Sequence, residues 1–149
     1  SVFSHVGIAV RLPAPFEGLH VVESVEPVGV RLVPFAIWEK WRMPIDAYRV
    51  DQFTDAGREV MVRFALRALG CPYASWRQFV RSWGLIGRRI AKTLGLPADS
   101  DGKRFFCSEL VADALRYAGA NLHAAPSRMS PGDVSLLSCL RHVGRVFPK

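Results

Sequence analysis

The chain has 149 residues, half of them hydrophobic, and a net charge of +7, which is enough for one domain with a buried core. It lacks any run of about 18 apolar residues, so we expect no membrane span, and no signal-peptide pattern is present either. The three cysteines, Cys71, Cys107 and Cys139, form no CxxC pair and no zinc-knuckle spacing, which argues against a disulfide framework or a metal site. Free thiols favour a reducing, cytoplasmic compartment, and no metal or organic cofactor is implied.

The positive charge is concentrated in one segment. Residues 58–104 carry ten Lys or Arg against three acids, which accounts for the whole excess. Within this segment Arg77, Arg81, Arg88 and Lys92 lie at helical offsets that place them on one face. Such a face is either solvated or directed at an anionic partner, such as a phospholipid surface, a nucleic acid or an acidic cell-wall polymer. No RNA- or DNA-binding motif accompanies it, so a specific nucleic-acid partner is not expected.

The first fifty residues are typical of β-structure. Phe3–Val10, Leu19–Val25 and Val28–Val33 are rich in β-branched and aromatic residues, and short turn-forming connections between them predict an antiparallel meander. Ile45–Val50 could add a strand, and Leu140–Phe147 is the last predicted one.

The rest of the chain is mainly helical in pattern. After Thr54 and Asp55, both able to cap a helix, an apolar stripe recurs at helical spacing until Gly70. The stripe comprises Met61, Phe64, Ala65, Ala68 and Leu69. A second helical stretch begins near Ser75, and Pro97–Gly102 is a predicted loop. No repeat or interdomain linker is visible, so residues 1–149 are predicted to form a single α+β domain.

The most regular helix is predicted from Cys107 to Gly119. Cys107 begins its apolar face, and Leu110, Val111 and Ala114 continue it at helical offsets. At a helix N-terminus the unpaired N–H groups and the macrodipole favour thiolate over thiol, and thiolate is the reactive form. Cys107 is therefore either a nucleophile or a small hydrophobic residue that begins the apolar face.

A nucleophilic cysteine needs a base and a group that orients the base. His5 lies within the first predicted strand, and Gly7 nearby permits close backbone approach. Glu23, on the next strand, is the acid within the valine-rich segment Val21–Val25. Adjacent antiparallel strands can place His5 and Glu23 side by side, so that the carboxylate fixes the imidazole tautomer. The alternative is that both side chains lie on the solvent face of a sheet.

These residues occur in segments that resemble a known family. The segments Ser4–Ile8 (SHVGI), Val21–Ser24 (VVES), Gly29-Val30 and Phe106–Val111 (FCSELV) are similar to NlpC-type cysteine peptidases. More narrowly, they resemble the circularly permuted, papain-like branch of YiiX- and YaeF-like proteins, in which the His-bearing strand precedes the Cys-bearing helix. The matches cover both ends and the middle of the chain.

The resemblance implies a permuted papain-like fold with an antiparallel sheet packed on the helix that carries the cysteine. It also implies a catalytic triad of Cys107, His5 and Glu23. Gly70–Tyr73 resembles the Gly-x-Pro-Tyr segment of the family, in which the tyrosine lines the site and helps to hold the oxyanion. The chain departs from the family at Ala74, where Asp usually follows the tyrosine, and in the absence before Ser1 of the strand that usually leads into the Ser-His motif.

Other residues are candidates for the same roles. His142, in a second His-Val-Gly triplet, is a rival base, but no acid or amide follows it in sequence to orient it. Glu109 points roughly 200° around the helix from Cys107 and is expected to favour the helix N-terminus by its charge. We expect Cys71 and Cys139 to be buried thiols. His20 and His123 are expected at the surface.

Three function classes follow from the sequence. The first is a thiol hydrolase that cleaves a peptide amide, a cell-wall peptide amide or an ester through an acyl-enzyme on Cys107. The second is a lipid acyltransferase or thioesterase, because the lecithin–retinol acyltransferase family shares the permuted fold and the basic face could lie on lipid. The third is a non-catalytic binding module that uses the basic helical face.

Overall fold

The computed structural model describes residues 3–73 and 105–146. Within these ranges the chain forms short antiparallel strands and helices, which confirms the α+β class. The strands are β1 (Gly7–Leu12), β2 (Gly18–Val25), β3 (Gly29–Pro34), β4 (Ile45–Val50) and β5 (Leu140–Val146). The helices are α1 (Phe35–Glu39), α2 (Asp55–Arg67), α3 (Cys107–Tyr117) and α4 (Pro131–Ser135), with a 3-10 turn at Pro126–Arg128.

The first three strands form the predicted meander. β1 pairs with β2 and β2 with β3, both antiparallel, and Gly7 lies opposite Glu23 in the first pair. The first strand begins at Gly7 and not at Phe3, because the residues before Gly7 leave the ladder. Phe3 instead packs edge-on against Tyr48 of β4. His5 therefore lies in the segment that enters β1, just beyond the last paired residue.

Strands β4 and β5 form a separate two-stranded antiparallel sheet, in which Ile45 pairs with Val146 and Val50 with Leu140. The described strands therefore make two sheets, whereas the sequence predicted one. The bounds of both strands were predicted closely. The sequence does not predict which strands pair with each other, because alternation specifies the buried face of a strand and not its neighbour in the sheet.

Helix α2 begins as predicted, with the Thr54 hydroxyl accepting a hydrogen bond from the backbone N–H of Gly57 at 3.2 Å, an arrangement that stabilises a helix start. Ala65 and Ala68 are buried, but Leu69 is exposed. The helix ends at Arg67, so Leu69 no longer follows the helical repeat that would have turned it inward.

Helix α3 carries the centre of the core and contacts β1, β2 and α2. The apolar residues at its predicted offsets are buried, and Leu110, Ala114 and Leu115 are inaccessible to solvent. Gly119 follows the helix with a φ of +99°, as expected for a residue that ends one,. Cys107, the first residue of α3, therefore lies where the core meets the helix N-terminus.

Some expectations fall outside the described residues. They are the helical stretch from Ser75, the loop Pro97–Gly102 and the basic face of Arg77, Arg81, Arg88 and Lys92. None of the helices in the described ranges has the length and apolar character needed to cross a bilayer.

Replacing Gly29 by alanine is expected to lower the free energy of unfolding by roughly 2 kcal/mol or more, because the left-handed conformation alone costs about 1–2 kcal/mol with a Cβ. Gly29 has a φ of +89°, and a Cβ there would lie 2.2 Å from the carbonyl oxygen of Cys71. Urea unfolding measures the loss. Gly119→Ala is the matched control, since its φ is similar but no atom lies within 4 Å of the added Cβ. Equal losses in both variants would contradict a role for the close approach.

Candidate active site

Cys107 stands at the N-terminus of α3 and is 8% exposed. Its side chain meets that of His5 in a hydrogen-bonding contact, and the backbone of Val6 and Ser108 also bonds to the sulfur. Burial raises the pKa of the Cys107 thiol, but the contacts with His5 and these backbone groups outweigh it, so the net pKa is lowered. The site therefore favours thiolate.

The start of α3 is fixed to β2 by a buried hydrogen bond. The Ser24 hydroxyl donates to the carbonyl oxygen of Phe105 at 2.6 Å, and Ser24 is fully buried. Because Ser24 directly follows Glu23, the strand that carries the acid also anchors the turn before Cys107. The two elements cannot separate without leaving a buried hydroxyl unpaired, which is costly.

His5 lies between Cys107 and Glu23. Its Nε2 is 2.8 Å from Oε2 of Glu23, and with that nitrogen engaged, Nδ1 is the ring nitrogen left for the thiol. Burial lowers the pKa of His5, but the hydrogen bonds and charges of Cys107 and Glu23 outweigh this effect and raise the pKa to about 9. The geometry therefore favours a thiolate–imidazolium pair.

Glu23 is completely buried, and both oxygens of its carboxylate accept hydrogen bonds. Oε2 accepts from His5 and from the indole N–H of Trp38 at 3.0 Å, and Oε1 accepts from Nε of Arg31 at 2.9 Å. Burial raises the pKa of Glu23, but the bonds from His5 and Arg31 prevail and lower it. Glu23 is thus held as the carboxylate, the form that orients an imidazole and supports its positive charge.

Two tryptophans, which sequence reasoning missed, border the imidazole. Trp38 of α1 and Trp41 stack with ring centroids 5.2 Å apart, and Trp41 packs edge-on against His5 with centroids 5.6 Å apart. Gly7 makes room for Trp38, since a Cβ on Gly7 would lie 3.0 Å from the indole ring. A five-residue helix is too short to show an apolar period, so nothing in the pattern signalled these residues.

Tyr73, of the Gly-x-Pro-Tyr segment, lies beside the two residues that precede Cys107. It forms a parallel bridge with Phe105 and packs edge-on against Phe106, the residue before the cysteine. Burial and the negative charges of Cys107 and Glu26 raise the pKa of Tyr73. Tyr73 therefore keeps its hydroxyl proton, so that the hydroxyl can act as a hydrogen-bond donor.

The rival base, His142, lies on β5 and is half exposed. Its Nε2 is 2.9 Å from Oδ1 of Asp46, which also binds Arg145, and its ring packs edge-on against Tyr48. No acid follows His142 in the sequence, as noted above, but Asp46 of the earlier strand β4 is within hydrogen-bonding distance of its ring. The observed contacts of His142 are all with the two-stranded sheet, while Cys107 is paired with His5.

The remaining alternatives are settled by their surroundings. Glu109 accepts a hydrogen bond from the backbone N–H of Phe106 at 3.4 Å, as expected of an acid at a helix start,. Cys139 is buried as predicted, but Cys71 is only partly buried; its carbonyl accepts a hydrogen bond from Val30 at the start of β3. His123 is exposed as predicted, whereas His20 is half-buried and its Nδ1 lies 3.3 Å from the carbonyl of Gly18.

The three residues of the predicted triad are thus contiguous in space, while their catalytic roles stay a prediction. Within residues 3–73 and 105–146, no group of three or more His, Cys, Asp or Glu side chains is placed to hold a metal ion. Comparison of the chain with protein-family models and with curated proteins found no match. The resemblance to NlpC-type peptidases therefore depends on the motifs alone.

Proposed function

We propose that this protein is a cysteine hydrolase of the permuted papain-like type, which cleaves an amide or ester bond through an acyl-enzyme on Cys107. One observation carries the proposal. A cysteine at a helix N-terminus contacts an imidazole whose other nitrogen is bound by a fully buried carboxylate. Nucleophile, base and orienting group in this order are the arrangement on which acyl transfer by a thiol depends.

In the proposed reaction the Cys107 thiolate adds to the substrate carbonyl carbon, and the C=O electron pair moves onto oxygen. Backbone N–H groups at the start of α3 stabilise the oxyanion, with the Tyr73 hydroxyl as a further donor. As the C–N or C–O bond breaks, His5 gives its proton to the leaving group. His5 then takes a proton from water, which attacks the thioester and releases the acid and the thiolate.

The chain order His5, Glu23, Cys107 supports the permuted version of the fold, because the base-bearing segment comes first. The pairing of residues 70–73 with β3 and Phe105 supports it too, since it brings Tyr73 beside the nucleophile as in the resembled family. The same resemblance favours peptide amides, including those of cell-wall peptides, as the substrate class.

The rate of alkylation by iodoacetamide tests whether Cys107 is present as the thiolate. We expect Cys107 to react at least about tenfold faster than Cys139 at about pH 6, because a lowered pKa keeps the sulfur ionised where an ordinary thiol is protonated. The rate should fall as pH drops through the lowered pKa of Cys107. It should change again near pH 9, where His5, whose pKa is raised to about 9, loses its proton. Peptide mapping by mass spectrometry assigns the rate to each cysteine.

Cys139 is a close internal control for burial. It is 6% exposed against 8% for Cys107, but burial raises the pKa of its thiol whereas that of Cys107 is lowered. A difference in rate therefore reports ionisation and not access. Equal rates for the two cysteines below pH 8 would refute the thiolate and with it the proposed chemistry.

A further inference from the structure

The carboxylate of Glu23 divides its contacts between its two oxygens. Among residues 3–73 and 105–146, Oε1 contacts only Arg31, through Nε at 2.9 Å and Nη2 at 2.8 Å. Oε2 is hydrogen-bonded to Nε2 of His5 at 2.8 Å and to the indole N–H of Trp38 at 3.0 Å. Arg31 lies directly opposite Glu23 in the β2–β3 register, so two paired strands hold the contact. The carboxylate cannot rotate toward or away from His5 without breaking the contact with Arg31.

We propose that Arg31 is a positioning residue that fixes the Glu23 carboxylate and limits how strongly it holds the protonated imidazole of His5. Arg31 does this by binding one carboxylate oxygen of Glu23 and by compensating part of the negative charge of that carboxylate. The guanidinium suits the role because it stays charged and presents several N–H groups in a fixed plane.

The charges around His5 alternate in sign. Cys107 of α3 faces the imidazole from one side and Glu23 of β2 from the other, with Arg31 of β3 behind Glu23. Trp38 and Trp41, whose rings also border His5, are uncharged. Without Arg31 the imidazolium would lie between two anions, one of them no longer compensated. The imidazole would then hold its proton more tightly and give it up less readily to a leaving group.

A purely structural role for Arg31 makes a different prediction. Glu23 is fully buried, and a buried carboxylate without a counter-charge destabilises a fold. If Arg31 served only that purpose, its loss would lower the free energy of unfolding but leave the proton affinity of His5 unchanged. The titration of His5 therefore separates the two roles.

The inference rests on the proposed function, so the experiment reads His5 directly. The pKa of the His5 ring is measured by NMR in the full chain, labelled at histidine, with signals assigned through substitutions of His20, His123 and His142. We expect Arg31→Met and Arg31→Gln to raise the His5 pKa by about 0.5–1 unit over the wild type. Arg31→Lys, which keeps the charge but not the planar pair of N–H donors, should return the His5 pKa only part of the way to the wild-type value.

Arg11→Gln is the control, since Arg11 is exposed on β1 of the same sheet, and it should leave the His5 pKa unchanged. If Arg31→Met does not fold, Arg31→Gln decides, because its amide can still donate to Oε1. An unchanged or lowered His5 pKa in folded Arg31→Gln overturns the positioning role. An unreactive Cys107 beside a shifted His5 would refute the proposed function and leave the role of Arg31 in place.

Discussion

Replacing Cys107 by alanine is expected to lower turnover by at least about 10⁴-fold, because loss of the nucleophile removes the covalent step and leaves only binding and oxyanion stabilisation. p-Nitrophenyl acetate is a suitable probe, since its reactive ester tests acyl transfer without knowledge of the natural substrate. Wild-type protein should release nitrophenol and carry an acetyl group on Cys107, detectable by intact mass and peptide mapping. The alanine variant should show neither.

The fold should survive this substitution. Cys107 is at the edge of the core, and a small side chain replaces another, so we expect the free energy of unfolding to change by about 1 kcal/mol or less. Cys139→Ala is the matched control, because it removes an equally buried thiol that has no imidazole partner in the described part of the chain. Acetyl transfer that persists in folded Cys107→Ala would refute Cys107 as the nucleophile.

The proximity of His5 to Glu23 could be predicted from local pattern, although His5 lies just before β1 and not within its paired ladder. Two strands separated by a short turn have few possible registers, and burial of one face selects among them. The same logic extends to Arg31. Val25 pairs with Gly29 across the turn at Pro27, which places Glu23 opposite Arg31. A glutamate and an arginine placed symmetrically about a tight turn are a cross-strand pair that the sequence already contains.

Other features of the site could not be found in this way. Trp38 and Trp41 approach His5 through the path of a short helix, which local periodicity does not specify. Asp46, the partner of His142, lies on a strand nearly a hundred residues earlier. The residues that follow His142 in the sequence therefore give no sign of this contact. In each case the contact is made by tertiary packing between two elements, and the sequence pattern of neither element predicts the other as its partner.

Replacing His5 is expected to cost more activity than replacing Glu23. His5→Ala removes both the cation beside the sulfur and the proton donor, so we expect a loss nearly as large as that of the nucleophile. Glu23→Gln should retain about 10–100-fold more activity than His5→Ala, because the orienting acid of a triad costs less to remove than its base. Glutamine is used because alanine would leave Arg31 and Trp38 with unpaired buried donors.

The pH dependence gives the sharper test of how Glu23 acts. The carboxylate raises the pKa of His5, so its replacement by a neutral amide should lower that pKa from about 9 toward the ordinary value,. The upper limb of the profile of kcat/KM should therefore move to lower pH in Glu23→Gln. Because Glu23 acts only through His5, the double variant His5→Ala/Glu23→Gln should be no less active than His5→Ala alone. A further loss in the double variant would mean that Glu23 supports catalysis by a route that does not involve the imidazole.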